Sequence, residues 1–301
     1  MRDSSVRVRV DNTLEGRRID SALTEMLEIS RNQIQRFILE GFIKVNGLPV
    51  KKNYRLRPDD TIDVEFPPPS EVAIEAVDAP IEIVYMDEDV VVVDKPAGLV
   101  VHPGAGRERT SVLSALKFRG ITLSEIGAPL RGGVVHRIDK DTSGLIVLAR
   151  NAHAHFILAK QFFSHTIERK YLGVVHGHLE KKEGVVDAAI GRHPVRRKEF
   201  CVRENAKEAR TAYRVLRRLA DYDVVEFRLY TGRTHQIRVH MRHLGHPLVG
   251  DVLYAKGRKD PIDRQALHAF LLGFIHPATG KNVRFYSSLP DDIRRLIRNG
   301  G

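Results

Sequence analysis

The chain has 301 residues, of which 42% are hydrophobic and 29% charged, and its formal net charge is +11. This composition excludes wholesale disorder, and the length predicts two domains. Cys201 is the single cysteine, which excludes a disulfide framework and any zinc site built from several cysteines. No apolar run approaches the ~18 residues of a membrane span, and the N-terminus lacks the apolar segment of a secretory signal. We therefore expect a cytoplasmic protein.

The charge is distributed unevenly along the chain. Residues 1–66 carry a net charge of +1, residues 67–90 a net charge of −7, and residues 91–301 a net charge of +17. A basic body of this kind favours a polyanionic partner, nucleic acid before an anionic membrane. A solvated basic surface without any partner would have the same composition, so motifs must decide between these interpretations.

Residues 17–66 are predicted to form a small unit that begins with two helices. From Ile19 onward, apolar residues recur at i, i+3, i+4, i+7 and i+8, which is the pattern of an amphipathic helix. Ser30 and Gln33 form a capping-box signature for a second helix, and we expect that helix to end at Gly41.

A hairpin and a further strand complete this unit. Residues 42–45 are predicted as a strand, residues 46–47 as a tight Asn-Gly turn, and residues 62–66 as another strand. We interpret the basic charge concentrated in this part of the chain as an RNA-binding surface, although a protein-docking unit with a solvated basic face fits the same pattern. The basic side chains between residues 31 and 57 are Arg31, Arg36, Lys44, Lys51, Lys52, Arg55 and Arg57.

A proline run at residues 67–69 marks a linker, because such a run cannot continue a central strand. We predict the domains as residues 1–78, with a core at 17–66, and residues 79–301. Many strands with fewer helices predict an α+β fold around a mixed sheet. No GxGxxG or Walker motif is present, so no nucleotide cofactor is expected. The second domain has predicted strands at residues 90–93, 145–148, 171–175, 211–216 and 224–229, and predicted helices at 151–163 and 290–298.

The first segment that could carry chemistry is VVHRIDKDTSG, residues 134–144. It places Asp139 beside the cations Arg137 and Lys140, between two apolar stretches. A carboxylate among cations can serve as a nucleophile or a base. An ordinary turn, in which Asp139 or Asp141 caps the backbone, fits the pattern equally well.

The second segment is GRTHQIRVH, residues 232–240, on or just after a predicted strand. Arg233 and Arg238 are planar donors suited to phosphate or carboxylate, and His235 and Gln236 add further polar groups between them. A solvated surface strand is the competing interpretation. We regard it as the weaker one, because few exposed strands combine glutamine, histidine and arginine.

A third segment, residues 267–277, is largely apolar and is expected to belong to the core. The histidines at positions 235, 240, 243 and 246 lie close together, but no acidic residue is interleaved among them at ligand spacing. Histidines among arginines suit phosphate contact at least as well, so we expect no metal.

Five segments of the chain resemble the RluA/RluD-type pseudouridine synthases, both in sequence and in their order along the chain. The N-terminal residues 17–66 resemble the S4 RNA-binding domain that precedes the catalytic domain in many members. The resemblance covers nearly the whole chain and is closest to enzymes that act on large-subunit ribosomal RNA. Departures are small: Ile138 replaces the usual leucine, and residues 205–209 differ in a loop. The five segments are DKPAGLVVHPG (94–104), VHRIDKDTSGL (135–145), ERKYLGVVHG (168–177), GRTHQIRVHMRHLGHPLVGD (232–251) and LHAFLLGFIHP (267–277).

The resemblance implies a fold and an activity. The expected architecture is α+β, with a small S4-like α/β RNA-binding domain followed by a pseudouridine-synthase catalytic domain. The catalytic domain would be built on a mixed, mostly antiparallel β-sheet with flanking helices. The implied reaction isomerises specific uridines in RNA to pseudouridine. The N1–C1′ bond breaks, the uracil rotates, and a C5–C1′ bond forms, so no cofactor, metal or group donor is required.

The resemblance also implies roles for individual residues. Asp139 would be the catalytic aspartate, Tyr171 would stack on the target base, and Arg238 would pair with the aspartate. Asp139 would either attack C1′ or act as a base through a glycal intermediate, and both routes remain open. Substrate contacts are expected from Arg137, Arg233, His235, Gln236 and Leu267 in the catalytic domain, and from Arg31, Arg36, Lys44, Lys51 and Lys52 in the first domain.

The expected partner is RNA, with ribosomal RNA preferred, either free or within an assembling large subunit, and no membrane. Transfer RNA is an alternative substrate, because the motifs are shared. A non-catalytic RNA-binding ribosome-assembly factor is another alternative, although intact motifs at all five segments argue against it. A hydrolytic glycosidase would need a second acid carboxylate, for which Glu168 is the only strong candidate near the motifs.

Overall fold

The computed structural model describes residues 5–27, 29, 31–65, 74–103, 109–126 and 131–300. The strands are β1 (Ser5–Arg9), β2 (Ile43–Val45), β3 (Leu48–Pro49), β4 (Thr61–Glu65), β5 (Glu82–Met86), β6 (Val90–Lys95), β7 (Ser143–Ala149), β8 (Glu168–His176), β9 (Glu183–Asp187), β10 (Ile190–Arg192), β11 (Phe200–Val202), β12 (Arg210–Arg218), β13 (Tyr222–Leu229), β14 (Leu267–Ile275) and β15 (Asn282–Tyr286). The helices are α1 (Ile19–Leu27), α2 (Arg31–Leu39), α3 (Val112–Phe118), α4 (Ala152–Phe163), α5 (Gln236–His243) and α6 (Asp291–Asn299).

The N-terminal unit contains the two predicted helices and the predicted hairpin. The apolar face of α1 is buried, and Ile34 and Phe37 of α2 pack in the same core. Asn46 and Gly47 both have a positive φ, 52° and 76°, which matches the tight turn expected of an Asn-Gly pair between β2 and β3. The predicted cap at Ser30 lies outside the described residues.

Strand β1 extends this unit beyond the predicted core of residues 17–66. It pairs antiparallel with β4, so the sheet has the order β1-β4-β2-β3. Val8 of β1 and the following Val10 are buried in the core of the unit. The alternation of valine and arginine at residues 6–10 is a strand signal of period two, so the sequence itself indicates this strand.

A buried carboxylate joins the two helices of this unit. Asp20 of α1 is fully buried and accepts hydrogen bonds from Arg18, from Gln35 at 2.8 Å and from Arg31 at 3.0 Å. Burial acts to raise the pKa of Asp20, but these donors outweigh it and lower the pKa to about 2. Because a buried carboxylate needs these partners, Arg31 contributes to the fold of the unit.

The second part of the chain is built on a nine-stranded sheet. The strand order is β5-β6-β7-β14-β8-β13-β12-β9, and β15 also pairs with β14. The β7–β14 pair is parallel and the other pairs in this sheet are antiparallel. The prediction of a mixed, mostly antiparallel sheet is therefore confirmed. The segment placed on or just after a strand follows β13, and its residues 236–243 form helix α5, so the competing interpretation as a solvated surface strand does not apply.

The sheet is covered on both faces, as the sequence of β6 requires. Val90 and Val92 belong to the apolar cluster that includes α4 and the N-terminal unit. Val91 and Val93 belong to a second cluster that includes α3 and residues of α5. Alternate residues of a strand point to opposite faces, so a run of four buried valines requires apolar cover on each side.

Helix α4 connects the N-terminal unit to the sheet. The guanidinium of Arg17 lies 4.7 Å from the ring centroid of Phe163 at the end of α4. Lys160 of α4 pairs with Asp11 at 2.7 Å. The N-terminal unit therefore packs against the second part of the chain through apolar and ionic contacts. The predicted boundary falls largely on residues 66–73, which lie outside the described residues, so the division at residue 78 stays a prediction.

We predict that Asp20→Asn lowers the free energy of unfolding by about 2 kcal/mol at pH 7, because a pKa depressed by about two units contributes that much. The folded pKa lies below the unfolded value, so the contribution is complete above pH ~4 and is lost as the pH falls toward 2. Urea unfolding of both proteins between pH 2 and pH 7 measures the difference.

The control is Asp63→Asn, since Asp63 pairs with the exposed Arg7 and an exposed ion pair contributes less than about 1 kcal/mol. A difference between Asp20→Asn and the unmodified chain that does not change with pH would contradict this account of the buried carboxylate.

Candidate active site

Asp139 lies in a loop that leads directly into β7, and a glycine fixes where that strand begins. Gly144 has a φ of 114°, and a Cβ at this position would lie 2.3 Å from the carbonyl oxygen of Ala269 in β14. Ser143 and Gly144 are the two residues of β7 that pair in parallel with β14. The close approach of the two strands therefore requires glycine and sets the position of the preceding loop.

The buried ammonium of Lys95 holds the loop backbone next to Asp139. Its Nζ donates to the carbonyl oxygens of Leu99 and Lys140, both at 2.8 Å, and to that of Pro96 at 2.9 Å. The amide of Gly98 donates to the same Lys140 oxygen at 3.0 Å. Burial lowers the pKa of Lys95 to about 7, although nearby carboxylates act to raise it. The segment 94–104 thus has a direct part in positioning the aspartate.

Arg238 of α5 bridges two carboxylates. Its Nη1 donates to Oδ2 of Asp139 at 3.0 Å, while Nε and Nη2 donate to the two oxygens of Asp251 at 2.7 and 2.9 Å. The side chain of Asp251 is fully buried. Burial acts to lower the pKa of Arg238, but the two carboxylates outweigh it and raise the pKa. Two of the three guanidinium nitrogens are bound to Asp251, so Nη1 has one fixed direction, toward Asp139.

His235 approaches the other oxygen of the same aspartate. Its Nε2 lies 4.0 Å from Oδ1 of Asp139, and its Nδ1 lies 2.9 Å from the hydroxyl of Tyr254. The ring packs edge-on against Phe200, with the centroids 5.5 Å apart. Burial lowers the pKa of His235, although the charge of Asp139 acts to raise it. The imidazole is therefore neutral at pH 7.

Asp139, His235 and Arg238 line a cleft of about 730 Å³, a size that accommodates a nucleotide. Tyr171 of β8 and Leu267 of β14 form buried parts of its wall. Burial raises the pKa of the Tyr171 hydroxyl, with the charge of Arg169 acting to lower it. The cleft brings together the three residues predicted as catalytic, Asp139, Tyr171 and Arg238, with His235 and Leu267, which were predicted to contact substrate.

The other residues of the catalytic domain that were predicted to contact substrate have different surroundings. Arg137 is exposed at the edge of the cleft. Arg233 donates to the carbonyl oxygen of Glu208 at 2.9 Å and lies 3.4 Å from Glu25 of α1. The amide of Gln236 is used within the protein, because it accepts from Thr231 and Arg233 and donates to Arg210 and Thr211. We therefore assign Gln236 to the construction of the cleft instead of to substrate contact.

The basic residues of the N-terminal unit also divide into two groups. Arg31 is bound to Asp20, and Arg36 lies 3.5 Å from Glu40, which follows the last residue of α2. Lys51 and Lys52 are exposed, and Lys44 is partly exposed. These three lysines have no ion pair with another described residue, and they remain the residues of this unit best placed for RNA.

Three residues of the site were not among those predicted. Lys95, Asp251 and Tyr254 are all buried, and two of them lie within the motif segments. A single sequence does not signal that Asp251 contacts Arg238 across a turn. A buried arginine needs a carboxylate partner. Asp251 could therefore be identified only after the structure showed that Arg238 is buried.

Within the described ranges, no group of three or more histidine, cysteine, aspartate or glutamate side chains could hold a metal ion. Over the same ranges, no helix has the length and apolar character that crossing a membrane requires.

Comparison with known proteins identifies the family. The family model for RNA pseudouridylate synthase matches residues 89–243, and the S4 domain model matches residues 17–62. The chain belongs to the RNA pseudouridylate synthase family. It is 44% identical over 270 residues to an uncharacterized RNA pseudouridine synthase of Bacillus subtilis, a match that covers 90% of this chain and 89% of that protein.

Two further relatives agree with this assignment. A ribosomal large subunit pseudouridine synthase D of Xanthomonas campestris is 41% identical over 310 residues, covering 98% of this chain and 92% of its own. The solved structure of human RNA pseudouridylate synthase domain containing 1 matches with a TM-score of 0.57 and 26% identity, covering 76% of this chain and 96% of that one. The chain is an RNA pseudouridine synthase with an N-terminal S4 domain, which confirms the predicted family, fold class and enzyme class.

We predict that Asp251→Asn lowers kcat about 10- to 100-fold, because it removes charged hydrogen bonds worth about 1.5–3 kcal/mol from the group that orients Arg238. Single-turnover conversion of uridine in RNA, corrected for the folded fraction, measures the effect. The matched control is Asp223→Asn, which changes another fully buried aspartate that is bonded to His178 and to the amide of Leu179. Equal rates for the two variants would show that Asp251 has only a structural role.

Proposed function

We propose that this enzyme converts specific uridines of large-subunit ribosomal RNA to pseudouridine, with Asp139 as the catalytic residue. The observation that carries the proposal is the 3.0 Å contact between Arg238 and Asp139 inside a nucleotide-sized cleft. The choice of substrate is supported by the relative of Xanthomonas campestris, which is named a large-subunit enzyme. We further infer that the domains divide near residue 78 and that the enzyme works in the cytoplasm, where ribosomal RNA is assembled in bacteria.

The buried position of the site sets the order of events. A uridine within a stem or loop must be extruded before it can reach Asp139, at a cost of a few kcal/mol. Basic side chains around the cleft, among them Arg137, hold the RNA backbone during this step. Tyr171 forms part of the cleft wall and presents an aromatic face, on which an extruded base can stack.

The two oxygens of Asp139 have different surroundings. Oδ2 accepts from Arg238, whereas Oδ1 has no hydrogen-bond donor within 3.5 Å among the described residues. Oδ1 is therefore the oxygen available to the substrate. It can attack C1′ as the N1–C1′ bond breaks, or it can accept a sugar proton on the glycal route. On either route the C5–C1′ bond then forms, and the hydrogen at C5 is released as a proton.

A hydrolytic reaction has less support. It would need a second carboxylic acid facing the scissile bond, and the candidate from sequence was Glu168. This residue pairs with Arg284 at 2.8 Å between β8 and β15 and does not line the cleft. Asp251 is fully buried and bound to Arg238, so it is not free to protonate a leaving group.

The test uses RNA labelled with tritium at C5 of uracil, because formation of the C5–C1′ bond must release that hydrogen to water. We expect release from large-subunit ribosomal RNA and none from transfer RNA. Release from transfer RNA alone would replace the proposed substrate while leaving the reaction in place.

Asp139→Asn should abolish tritium release and leave the affinity for RNA within a few fold. The amide has nearly the same shape as the carboxylate, but it is neither a good nucleophile nor a base. The control is Asp141→Asn in the same loop, whose side chain is not among those that line the cleft. Normal turnover by Asp139→Asn would exclude Asp139 as the catalytic residue.

A separate prediction concerns the three lysines of the S4 domain. Replacing Lys44, Lys51 and Lys52 together by glutamine should weaken RNA binding and reduce the slope of log affinity against log salt by about 2–3, since each phosphate contact contributes about 0.7–0.9. Filter binding across a salt series measures the slope.

The control variant replaces Lys181, Lys182 and Lys259 by glutamine. These three lysines are exposed and lie outside the S4 domain. If both triple variants have the same slope, the S4 lysines do not contact phosphate.

A further inference from the structure

We propose that His235 and Asp139 together bind the ribose 2′-hydroxyl of the target uridine, and that Tyr254 positions His235 for this contact. The inference rests on the proposed function, because it concerns the substrate of the same site. It adds a substrate-contacting residue, a positioning residue and a physical basis for selecting RNA over DNA.

The first step is the tautomer of His235. Among the described residues, the hydroxyl of Tyr254 has two hydrogen-bonding neighbours, the amide of Phe200 and Nδ1 of His235, each at 2.9 Å. The amide can only donate, so the hydroxyl accepts from Phe200. The one acceptor that its own hydrogen has among these two neighbours is Nδ1, and we assign the hydrogen to that bond. A neutral imidazole that accepts at Nδ1 carries its hydrogen on Nε2. His235 therefore presents an N–H donor toward Asp139.

The second step is the charge of His235. The charged groups that face it are Asp139 and Asp251, which act to raise its pKa, and Arg238 and Arg137, which act to lower it. Burial is the largest effect and leaves the pKa below its ordinary value. The ring is thus a neutral donor at pH 7 instead of a cation paired with the carboxylate.

The third step is the distance between the two groups. Nε2 of His235 lies 4.0 Å from Oδ1 of Asp139, which is too far for a direct hydrogen bond. An oxygen placed beside both atoms can lie about 2.8 Å from each. That oxygen must accept from Nε2–H and donate to the carboxylate, a combination that a water molecule and a hydroxyl group provide, and in a uridine of an RNA strand the group that provides it is the 2′-hydroxyl. A uracil carbonyl and a phosphate oxygen cannot donate, and a uracil N–H cannot accept.

The 2′-hydroxyl is the hydroxyl next to C1′, the carbon at which the bonds are exchanged. Binding it at Oδ1 brings C1′ close to the same carboxylate, while Arg238 keeps Oδ2 in place. A 2′-hydroxyl acts as both donor and acceptor and is the group by which proteins distinguish RNA from DNA.

The backbone at His235 supports a role in binding. Its φ of 57° and ψ of 24° are left-handed, a conformation that costs energy for a residue other than glycine and is concentrated at functional sites. The side chain does not compensate by capping α5, although it stands at the N-cap position. The rings of Phe200 and Tyr254 instead hold it edge-on, at centroid distances of 5.5 and 5.7 Å.

The experiment uses the RNA segment in which the unmodified enzyme releases tritium, prepared with either uridine or 2′-deoxyuridine at the reacting position. The unmodified enzyme should lose about 10- to 100-fold in single-turnover kcat/KM on the deoxy substrate. His235→Asn should lose a similar factor on the ribose substrate and little more on the deoxy substrate. The ratio of kcat/KM on the ribose substrate to kcat/KM on the deoxy substrate is compared between variants. This comparison cancels any intrinsic effect of the hydroxyl on the chemistry.

Asparagine is chosen at position 235 because it tolerates the left-handed backbone, so the fold of the turn is retained. The control is His243→Asn, the same change at the exposed end of α5, which should keep the ratio of the unmodified enzyme. An unchanged ratio in His235→Asn would overturn the proposal. Absence of tritium release from every RNA with the unmodified enzyme would instead contradict the proposed function itself.

Tyr254→Phe tests the positioning role separately. Loss of the hydroxyl removes a hydrogen bond that stabilises neutral His235, so the pKa of His235 should rise. The acidic limb of the pH profile of kcat/KM should therefore move to higher pH in Tyr254→Phe. A lower rate with an unmoved acidic limb would show that Tyr254 only supports the fold.

Discussion

The site depends on one buried arginine that is shared between two carboxylates. Asp251 binds Nε and Nη2 of Arg238 and leaves Nη1 for Asp139. A buried guanidinium with one bidentate partner cannot rotate without losing both hydrogen bonds, so its remaining donor has a fixed direction. The rest of the fold brings Asp139 to that donor: Lys95 binds the backbone of its loop, and the contact of Gly144 with β14 fixes where the loop ends.

The S4 domain is part of the same arrangement, because α1 packs beside α4 and contributes to the wall of the cleft. Glu25 of α1 lies 3.4 Å from Arg233, at the start of the segment that leads into α5. Helix α1 of this domain therefore forms part of the cleft, whereas the three lysines are not among the residues that line it. The acidic residues 67–90 lie between two parts of the chain that each have a positive net charge, residues 1–66 and residues 91–301.

The sequence predicted much of the fold and the central residues of the site, and its failures have physical causes. The resemblance of five segments to a known family implied the roles of Asp139, Tyr171 and Arg238, whereas the pattern of residues alone left Asp139 as either a reactive carboxylate or an ordinary turn residue. The sequence did not reveal helix α5 and left open whether its segment lies on a strand or after one, because the apolar residues Ile237, Val239 and Met241 alternate with polar ones as they do in a strand. Asp251 and Tyr254, which follow α5 in the chain, contact Arg238 and His235 respectively. These contacts depend on tertiary packing, which one sequence does not reveal. Gln236 has the chemistry of an RNA ligand, but burial within the protein already satisfies its amide.

The measurement that tests the central claim most directly is the nucleoside composition of large-subunit ribosomal RNA after incubation with the enzyme, determined by chromatography with mass detection. Isomerisation conserves every atom of the nucleotide, so the account predicts loss of uridine and an equal gain of a nucleoside of the same mass, with no free uracil. Release of uracil in proportion to the uridine lost would contradict the account, because it would show that the cleft hydrolyses the glycosidic bond instead of re-forming it at C5.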